Sequence, residues 1–401
     1  MTRRATLRGA ERTPLRGEAA RADVLICGAS FAGLAVAREL AEAGADVLLL
    51  DRYEIGERAT SACAVPTPWL HAMGVRRAIR QEIPCMAFHT PHGSARFRLP
   101  WSWSSFDYRE LCRELWAQCG RARFAIAKVE GRSGHTVSTD RGDVTAPLIV
   151  DALGWRRVLG PGANVQPPDA RISRGLEVHP EGGGVDLDCW IDRSVVRYGY
   201  AWSVPAAGEQ RVGVGSYEPR HHVKEPTREM AHRLDVPPVR YQGNWFPHEL
   251  RPAEEDGVFF AGDSAGHCLP LSGEGIRPAF YFGIACGREL RAVLAGEQTR
   301  EQALARYADF SAAHAPAFRV MGRLQRWVPA LPPRLLTVSL AVAGRRRPCR
   351  WAFTRYLEAA DPNFAARSAG RREHAQPGHP AKNTVTIGAA AAGRPPPRVT
   401  G

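Results

Sequence analysis

The sequence predicts an α/β protein in which a βαβ unit is interleaved with a β-rich domain and followed by C-terminal helices. The first observation is that residues 22–51 contain an apolar run, a glycine-rich turn, a helical pattern and a second apolar run, as a strand, a helix and a parallel strand would. The second is that buried-strand patterns return at 146–154 and 257–263, on either side of alternating strand patterns between about 172 and 217. The chain therefore leaves the βαβ unit to form a β-rich insert and later returns to add strands to that unit, which gives two interleaved domains.

Local patterns place the principal elements. Strands are predicted at ADVLICG (22–28) and DVLLLD (46–51), and the helix FAGLAVARELAEAG (31–44) between them ends at a glycine. FDYRELCRELWAQCG (106–120) predicts an amphipathic helix that also stops at a glycine. IRPAFYFGIACGRELRAVLAG (276–296) predicts a long helix after the last of these strands.

Composition limits the partners and the compartment of the chain. The 401 residues carry a formal net charge of +13, but the excess is concentrated in residues 1–21 and 345–401, so no basic groove for nucleic acid is expected. Nine cysteines without a CxxC pair or metal-ligand spacing indicate free thiols in a reducing, cytoplasmic compartment and no metal site. The sequence has no run of 18 apolar residues, so no membrane span is expected. It also has no apolar run before the first strand, so no secretory signal is expected.

The glycine-rich turn GASFAG (28–33) predicts a bound dinucleotide. It fills a G-x-G-x-x-G pattern, with Ser30 at the middle position, between the first strand and its helix. Gly28 permits the tight turn, the small Ser30 lets a pyrophosphate approach the helix N-terminus, and Gly33 lets the helix pack on the strand. Asp51 ends the second strand, where a carboxylate can accept hydrogen bonds from ribose hydroxyls.

A second glycine-rich block, FFAGDSAGHCLPLSGEGIRPAFYFG (259–283), predicts the other half of the same site. Asp263 follows a strand at a turn, where it is placed for a ribityl hydroxyl. SGEGI (272–276) opens a helix whose N-terminus would stabilise the negative charge that a flavin gains on reduction. Pro278 costs little there, because its missing N–H lies in the first turn.

The stretch YGYAWSVP (198–205) places Tyr198, Tyr200 and Trp202 on one face of a strand. Such a wall of rings fits two structures, the core of a sheet and the lining of a long apolar channel. For Tyr200 and Trp202 we favour the channel, whereas Tyr198 fits either.

Together, GASFAG with Asp51, GDSAG with PLSGEGI, and YxWxxP (Tyr200, Trp202, Pro205) resemble the geranylgeranyl reductase family, flavoproteins of the p-hydroxybenzoate hydroxylase-like fold. The resemblance runs from about residue 22 to 295. The aromatic motif is the discriminating one, although Val204 stands where the family has Phe.

The resemblance implies FAD as the cofactor and assigns residues to it. Ala32 and Asp51 contact its adenosine half, and Val129 contacts adenine. Arg109 is either a contact of the pyrophosphate or ribityl chain or a surface arginine of its helix. The full set of candidate cofactor-binding residues is Gly28, Ser30, Ala32, Gly33, Asp51, Arg52, Arg109, Val129, Asp263, Pro270, Gly273, Gly275 and Ile276.

Four residues are candidates for the reaction itself. An isolated alkene is a poor hydride acceptor, so a reductase needs an acid that protonates the second carbon. Tyr200, Cys63 and His267 are the candidate acids, in that order, and Trp202 lines the channel. Cys63 is equally interpreted as a buried structural thiol, because the glycines that follow it in the family are absent here, and His267 as an ordinary loop histidine.

The resemblance implies an FAD-dependent oxidoreductase that reduces carbon–carbon double bonds of a polyprenyl (geranylgeranyl-type) lipid by hydride transfer from reduced flavin. The alternative is an FAD-dependent monooxygenase that hydroxylates an apolar or aromatic substrate. Leu153 stands where flavin hydroxylases have Asp, and His267 is displaced by one position, which disfavours the alternative. A non-catalytic flavin-binding protein is disfavoured by the intact GDSAG and SGEGI blocks. The electron donor is NAD(P)H, bound without a second dinucleotide fingerprint, or a protein carrier.

These interpretations divide the chain into five parts. The Rossmann-like FAD-binding domain is interleaved with the β-rich substrate domain, and a helical region follows both. The predicted parts are a disordered basic arm at 1–20, the FAD-binding domain at 21–72, 100–160 and 257–296, the substrate domain at 73–99 and 161–256, C-terminal helices at 297–360, and a disordered tail at 361–401.

A short apolar segment near the C-terminus has two interpretations. Residues 335–344 are mostly apolar, and Arg345, Arg346 and Arg347 follow at once. The segment is too short to span a bilayer. It predicts either a buried helix with a basic cap or a peripheral contact with an anionic membrane surface, where a lipid substrate would be found. The sequence does not predict an oligomeric state.

Overall fold

The computed structural model describes residues 14–59, 61–161 and 172–366. Within these ranges the strands in chain order are β1 (Val24–Cys27), β2 (Val47–Asp51), β3 (Ala64–Pro66), β4 (Ile79–Thr90), β5 (Gly93–Phe106), β6 (Arg123–Ile126), β7 (Val129–Ser133), β8 (Thr136–Thr139), β9 (Gly142–Thr145), β10 (Leu148–Asp151), β11 (Ile172–Val178), β12 (Leu187–Trp190), β13 (Gly199–Pro205), β14 (Gln210–Ser216), β15 (Gln242–Pro247), β16 (Glu254–Glu255) and β17 (Val258–Phe260). The α-helices are α1 (Phe31–Glu39), α2 (Thr67–Ala72), α3 (Tyr108–Trp116), α4 (Lys224–Arg233), α5 (Ile276–Leu294), α6 (Arg300–Ala312), α7 (Ala315–Trp327), α8 (Pro333–Ala343) and α9 (Arg346–Glu358).

The predicted βαβ unit forms the centre of a six-stranded sheet with the order β16-β17-β10-β1-β2-β6. Neighbouring strands are parallel except β16 and β17. β1 and β10 bury every residue, as parallel strands covered on both faces do. The carboxyl ends of β1, β2, β10 and β17 therefore meet at one edge of the sheet, which carries the turns that the sequence singled out.

α1 and α5 pack against each other through small residues. A Cβ at Gly283 would lie 2.8 Å from the carbonyl oxygen of Ala32, so only glycine permits this approach. A Cβ at Gly262, in the turn after β17, would lie 3.0 Å from Cβ of Ala32 and 4.0 Å from Cβ of Ala279. Both helices therefore begin beside the same turn at the edge of the sheet.

The eight-stranded sheet has the order β15-β11-β14-β13-β12-β4-β5-β3 and is antiparallel except between β12 and β4. Valines of β11 and β14 pack under α4 on one face, together with Ala201 and Met230. Because side chains alternate along a strand, the residues between them point to the opposite face. β7, β8 and β9 form a separate small sheet.

The C-terminal helices pack against the hairpin of β4 and β5. The indole Nε1 of Trp101 donates a hydrogen bond to the carbonyl oxygen of Phe353 at 3.0 Å, across 252 positions of sequence. That of Trp69 donates to the carbonyl oxygen of Ala360 at 2.9 Å, across 291 positions. These two hydrogen bonds hold α9 and the residues that follow it against Trp69 and Trp101 in the first third of the chain.

The predicted fold class is confirmed by this arrangement. The strands expected at 22–28, 46–51, 146–154 and 257–263 are β1, β2, β10 and β17. The helix expected at 31–44 ends earlier, at Glu39, because a turn connects it to the left-handed Gly44. None of the helices in the described ranges is both long enough and apolar enough to cross a membrane.

The domain division stays a prediction. Its boundary at residue 100 falls within β5, which belongs throughout to the eight-stranded sheet. Parts of the two segments predicted to be disordered are described, and they contain 3₁₀ turns at Gly17–Ala20 and Pro362–Ala365. The remainder of both segments lies outside the described residues.

Candidate active site

A cavity of about 840 Å³ lies between the two large sheets. One part of its lining comes from the turns at the carboxyl ends of β1, β2, β10 and β17. A second part comes from the face of the eight-stranded sheet that α4 does not cover. The third part comes from the C-terminal helices α7, α8 and α9. The cavity therefore joins the predicted dinucleotide turns to the predicted aromatic wall.

The turn between β1 and α1 brings main chain close to the cavity. Gly28 has a φ of +108°, and a Cβ there would lie 2.2 Å from the carbonyl oxygen of Ala152. A Cβ at Gly33 would lie 1.9 Å from the carbonyl oxygen of Gly28. Both positions therefore require glycine. Ser30 precedes α1 without a capping bond, and its hydroxyl oxygen lies 3.0 Å from that of Tyr108. The α1 N-terminus thus presents a small polar lining, which suits a pyrophosphate.

Asp51 joins β2 to the glycine-rich turn. Its Oδ2 accepts a hydrogen bond from the backbone N–H of Ala29 at 2.9 Å, and its Oδ1 accepts one from Tyr53 at 3.0 Å. Burial raises the pKa of Asp51, and these backbone hydrogen bonds oppose the increase. The carboxylate also lines the cavity, where its remaining lone pairs can accept from ribose hydroxyls.

The turn after β17 and the loop before α5 form the next part of the lining. Asp263 lies in the 3₁₀ turn at Gly262–Ala265, and burial raises its pKa to about 6. Gly273 has a φ of +64°, which favours glycine, and Gly275 precedes α5. α5 begins at Ile276, so its N-terminal N–H groups lie at the cavity.

Hydrogen bonds fix the aromatic side chains of β13 and β14 at the cavity. The hydroxyl of Tyr200 donates to the carbonyl oxygen of Ser272 at 2.5 Å, and that of Tyr217 donates to Leu271 at 2.5 Å. These bonds join the eight-stranded sheet to the loop before α5. Burial raises the pKa of Tyr200 well above its usual value. The Tyr200 hydroxyl is therefore a poor acid, and it holds the loop in place.

The indole of Trp202 lies over three glycines of neighbouring strands, here called the glycine platform. A Cβ added to Gly213 would lie 2.3 Å from the indole of Trp202. A Cβ added to Gly215 would lie 3.2 Å from the same ring, and one added to Gly175 would lie 3.4 Å from it. The indole Nε1 donates to Oε2 of Glu177 at 3.0 Å. The ring is thus placed by the absence of side chains beneath it and by one hydrogen bond. Tyr198, by contrast, is 39% exposed and is not among the lining residues.

Most of the predicted site residues line this cavity. Gly33 acts by packing, Arg109 lies on the exposed side of α3, and Pro270 is buried beside the lining, so these three are not part of it. Contacts of Arg109 and Pro270 with the cofactor stay predictions. The predicted residues in the lining are Gly28, Ser30, Ala32, Asp51, Arg52, Val129, Tyr200, Trp202, Asp263, Gly273, Gly275 and Ile276.

Cys63 and His267 are not among the lining residues. Cys63 is buried, and its Sγ donates to the carbonyl oxygen of Ser61 at 3.1 Å. Burial also raises the pKa of its thiol. His267 is buried with its ring stacked on Phe282 at 3.7 Å, and its Nε2 lies 2.9 Å from the hydroxyl oxygen of Ser311. Burial lowers the pKa of His267, so the ring is neutral. Neither predicted acid is brought into the cavity.

The lining also contains polar residues that the sequence analysis did not identify, namely Tyr108, Glu177, Tyr217 and Gln242. Tyr108 precedes Arg109, the residue that the resemblance singled out. Glu177 and Gln242 lie opposite each other on β11 and β15. Side chains alternate along a strand, so Glu177 lies on the same face of β11 as Gly175. This would have identified Glu177 as a lining residue if the register of β11 in the sheet had been known.

Comparisons with known proteins indicate the class to which this chain belongs. Residues 23–125 match the family model described as FAD dependent oxidoreductase. The chain is 26% identical over 329 residues to digeranylgeranylglycerophospholipid reductase 2 of Methanopyrus kandleri, an alignment that covers 72% of this chain and 81% of that protein. It is 27% identical over 339 residues to geranylgeranyl diphosphate reductase of Rhodobacter capsulatus, with 76% and 83% covered.

Solved structures share the fold. A geranylgeranyl bacteriochlorophyll reductase-like protein from Thermoplasma acidophilum superposes with a TM-score of 0.74 at 16% identity, over 86% of this chain and 97% of that one. PqsL from Pseudomonas aeruginosa, described as a probable FAD-dependent monooxygenase, superposes with a TM-score of 0.62 at 17% identity, over 80% and 99%.

The family model and the sequence relatives therefore identify this chain as an FAD-dependent oxidoreductase. A turn in which Gly28 and Gly33 leave no room for a side chain, two carboxylates and two helix N-termini around one cavity fit FAD. Within this class the chain resembles the geranylgeranyl reductases, as its motifs indicated, since its sequence relatives carry that name.

Proposed function

We propose that this protein reduces carbon–carbon double bonds of a geranylgeranyl-type polyprenyl lipid, with FAD as its cofactor. One observation carries the proposal: the cavity continues from the glycine-rich turns into an apolar and aromatic region beside α8 and α9. A hydrocarbon chain gains free energy by burying its apolar surface there. The names of the sequence relatives support the same substrate class. The apolar lining is Met86, Phe88, Leu187, Val204, Leu340 and Phe353.

The chain's own residues would hold and orient the cofactor. Asp51 would accept hydrogen bonds from the ribose, and Val129 would pack beside adenine. The N-terminus of α1 would face the pyrophosphate, and Asp263 would accept from the ribityl chain. The N-terminus of α5 would stabilise negative charge on the reduced ring. When bound and reduced, FAD supplies the hydride.

Tyr200 and Trp202 would shape the space in which the lipid meets the ring. Tyr200 is fixed to the loop before α5, and Trp202 is fixed to Glu177 on the glycine platform. Rigid rings offer a large contact area at low cost in conformational entropy. These two side chains would therefore position one double bond rather than donate its proton.

A second candidate function is hydroxylation of an apolar or aromatic substrate by an FAD-dependent monooxygenase. The shared fold with PqsL favours it. The cavity itself accommodates either reaction, because its apolar lining and flavin-facing turns serve both. The sequence relatives named as reductases favour reduction.

We further propose a peripheral contact with anionic membranes through the exposed side of α7, α8 and α9. Of α8 only Leu336 is buried, so the interpretation of this segment as a buried helix is wrong. The cavity lining includes Val328 and Pro329 of the connection between α7 and α8, so a lipid could pass directly from this surface into the cavity. We call this surface the basic apolar face, and its exposed residues are Trp327, Leu335, Val338, Val342, Arg345, Arg346, Arg347 and Trp351.

The natural electron donor, NAD(P)H or a protein carrier, is not needed to test the reaction, because light can reduce the flavin. FAD-loaded protein is photoreduced under anaerobic conditions and mixed with geranylgeranyl lipids, and the absorbance of oxidised flavin is followed. Reduction of the lipid should reoxidise the flavin and give a product two hydrogen atoms heavier per double bond. If flavin is reoxidised only by oxygen, with hydroxylated product, the monooxygenase proposal replaces this one.

A further inference from the structure

A buried carboxylate lies in the wall of the cavity and is not among the residues assigned to the cofactor. Glu177 is 2% exposed, on the cavity face of β11. Its Oε1 accepts hydrogen bonds from Gln242 Nε2 at 2.5 Å and from His179 Nε2 at 2.8 Å. Its Oε2 accepts from the indole of Trp202 at 3.0 Å. Burying a carboxylate costs several kcal/mol unless it is paired, so this one is stabilised by its contact with His179.

His179 connects Glu177 to the protein surface. Its other ring nitrogen, Nδ1, lies 3.4 Å from Oε1 of Glu209, and the His179 side chain is 13% exposed. Glu209 in turn lies 3.0 Å from Arg211 Nε and 3.5 Å from Nη1 of the exposed Arg240. A continuous set of polar groups therefore runs from the cavity wall to solvent. In it the imidazole of His179 lies between the carboxylates of Glu177 and Glu209.

The charges around His179 favour its protonated form. Burial lowers the pKa of His179, but the hydrogen bonds to Glu177 and Glu209 outweigh burial and the charge of Arg211, and leave the pKa raised. Burial raises the pKa of Glu209, but hydrogen bonds to His179 and Arg211 reduce it to about 2. Glu209 thus stays ionised, and it holds an imidazolium next to Glu177.

The other candidate acids are in less suitable places. The hydroxyls of Tyr200 and Tyr217 donate to backbone carbonyls, and Cys63 and His267 are not in the lining. Glu177 is in the lining, contacts the ring that would position the double bond, and has a group beside it that can resupply a proton.

We propose that Glu177 and His179 form a proton-delivery pair for the cavity. This inference rests on the proposed reduction of a double bond. The Nε2 proton of the His179 imidazolium would first pass to the carboxylate of Glu177, which leaves a neutral imidazole and a carboxyl O–H. One alkene carbon would gain the hydride that reduced FAD supplies, and the electron pair of the π bond would form a C–H bond between the other carbon and the proton of Glu177. Breaking this O–H bond restores the carboxylate, and His179 regains a proton from solvent.

Three variants test the pair in FAD-loaded, photoreduced protein. Glu177→Gln keeps a hydrogen-bonding amide but cannot transfer a proton, so flavin reoxidation by lipid should slow by roughly 10²–10⁴-fold, the usual contribution of an acid. His179→Gln should abolish the decrease in rate that the wild type shows as pH rises through the pKa of His179. Glu181→Gln, an exposed carboxylate two residues beyond His179, is the control and should match the wild type. Oxygen should reoxidise the flavin equally in all four proteins.

A titration of the ¹⁵N-labelled histidines gives a readout that does not depend on activity. The His179 resonance should titrate above an ordinary histidine in the wild type and at lower pH in Glu177→Gln. If no polyprenyl lipid reoxidises the wild type, the proposed function fails, and this titration still decides whether the pair exists. Lipid-driven reoxidation at the wild-type rate in Glu177→Gln, or an unchanged His179 titration, would overturn the proposal.

Discussion

The guanidinium of Arg277 and the carboxylate of Glu274 form a double ion pair inside the protein, with N–O distances of 2.9 and 2.8 Å. The same guanidinium donates to the carbonyl oxygens of Tyr356 and Leu357 at the end of α9. The hydroxyl of Tyr356 donates to Glu274. The loop before α5 is therefore joined to the helix that covers the apolar end of the cavity.

Replacing Arg277 by Met should lower the free energy of unfolding by about 3–5 kcal/mol, because the buried carboxylate of Glu274 loses its positively charged partner. Urea unfolding measures the change. Arg113→Met, which removes a largely exposed arginine from α3, is the matched control and should differ from the wild type by less than about 1 kcal/mol. Equal losses in the two variants would contradict the role assigned to the pair.

Asp51→Arg should weaken FAD binding about ten- to hundredfold. The change removes the predicted acceptor for the ribose hydroxyls, the hydrogen bond from Ala29 that holds the glycine-rich turn, and the hydrogen bond from the backbone N–H of Tyr53. FAD bound per polypeptide, from absorbance after gel filtration at several FAD concentrations, measures it. Asp143→Arg adds the same charge at an exposed position of β9 and should retain FAD. Unchanged FAD affinity in Asp51→Arg would refute the assignment of this site.

Gly213→Ala should displace Trp202, because the new Cβ would lie 2.3 Å from the indole. Overpacking of this kind costs about 1–3 kcal/mol of stability. FAD should stay bound, because Gly213 is not part of the turns predicted to bind FAD. Reoxidation of the flavin by the lipid should slow. Gly131→Ala is the control, because no atom lies within 4 Å of a Cβ there. Wild-type turnover in Gly213→Ala would show that the position of the ring does not matter.

Asp263 should make the stability of the FAD-free protein fall as pH rises from about 4 to 6. Its pKa is about 6 in the folded protein against an ordinary 3.8, so the folded state binds this proton more tightly than the unfolded chain does. The stabilisation is present below pH 4 and is lost by about pH 6, with a total of about 3 kcal/mol at 1.36 kcal/mol per pKa unit. Asp263→Asn should remove this part of the slope in urea titrations. An identical slope in the two proteins would exclude a raised pKa.

Replacing Arg345, Arg346 and Arg347 together by Gln should abolish most sedimentation with anionic liposomes, since each basic residue adds about 1 kcal/mol near such a surface. High salt should release the wild type in the same assay. The control replaces three other exposed arginines, Arg76, Arg77 and Arg80, and should sediment like the wild type. Equal sedimentation of the two triple variants would place the contact elsewhere.

Much of the cofactor half could be predicted from sequence, because it is built from contiguous turns. Gly28, Gly33 and Asp51 lie within one βαβ unit, and the approach of Gly33 to Gly28 and the hydrogen bond from Ala29 to Asp51 are formed within that unit. Asp263 and Gly275 follow in one block of sequence. Of the predicted cofactor-binding residues, Gly33, Arg109 and Pro270 are absent from the lining.

The proposed proton-delivery pair, Glu177 and His179, could not be predicted from the sequence, because the placement of Glu177 depends on pairing between distant strands. Cys63 and His267 lie next to recognisable motifs in the sequence, but both are buried and neither is in the cavity lining. Glu177 reaches the wall only because β11 pairs with β14 and β15, and no local pattern indicates that register. The hydrogen bond from Trp202 to Glu177 likewise joins two strands that are not adjacent in the chain.

The packing of α9 on the β4–β5 hairpin has a consequence for the order in which the protein is completed during synthesis. Phe97 and Trp101 pack against Phe353, so their partner leaves the ribosome about 250 residues later. Until then the apolar rings of the hairpin are open to solvent, although the turns that would hold FAD have already been made. A nascent chain that stalls before α9 would expose these rings and be prone to aggregate. Production of active protein should therefore depend on how promptly the last helices dock.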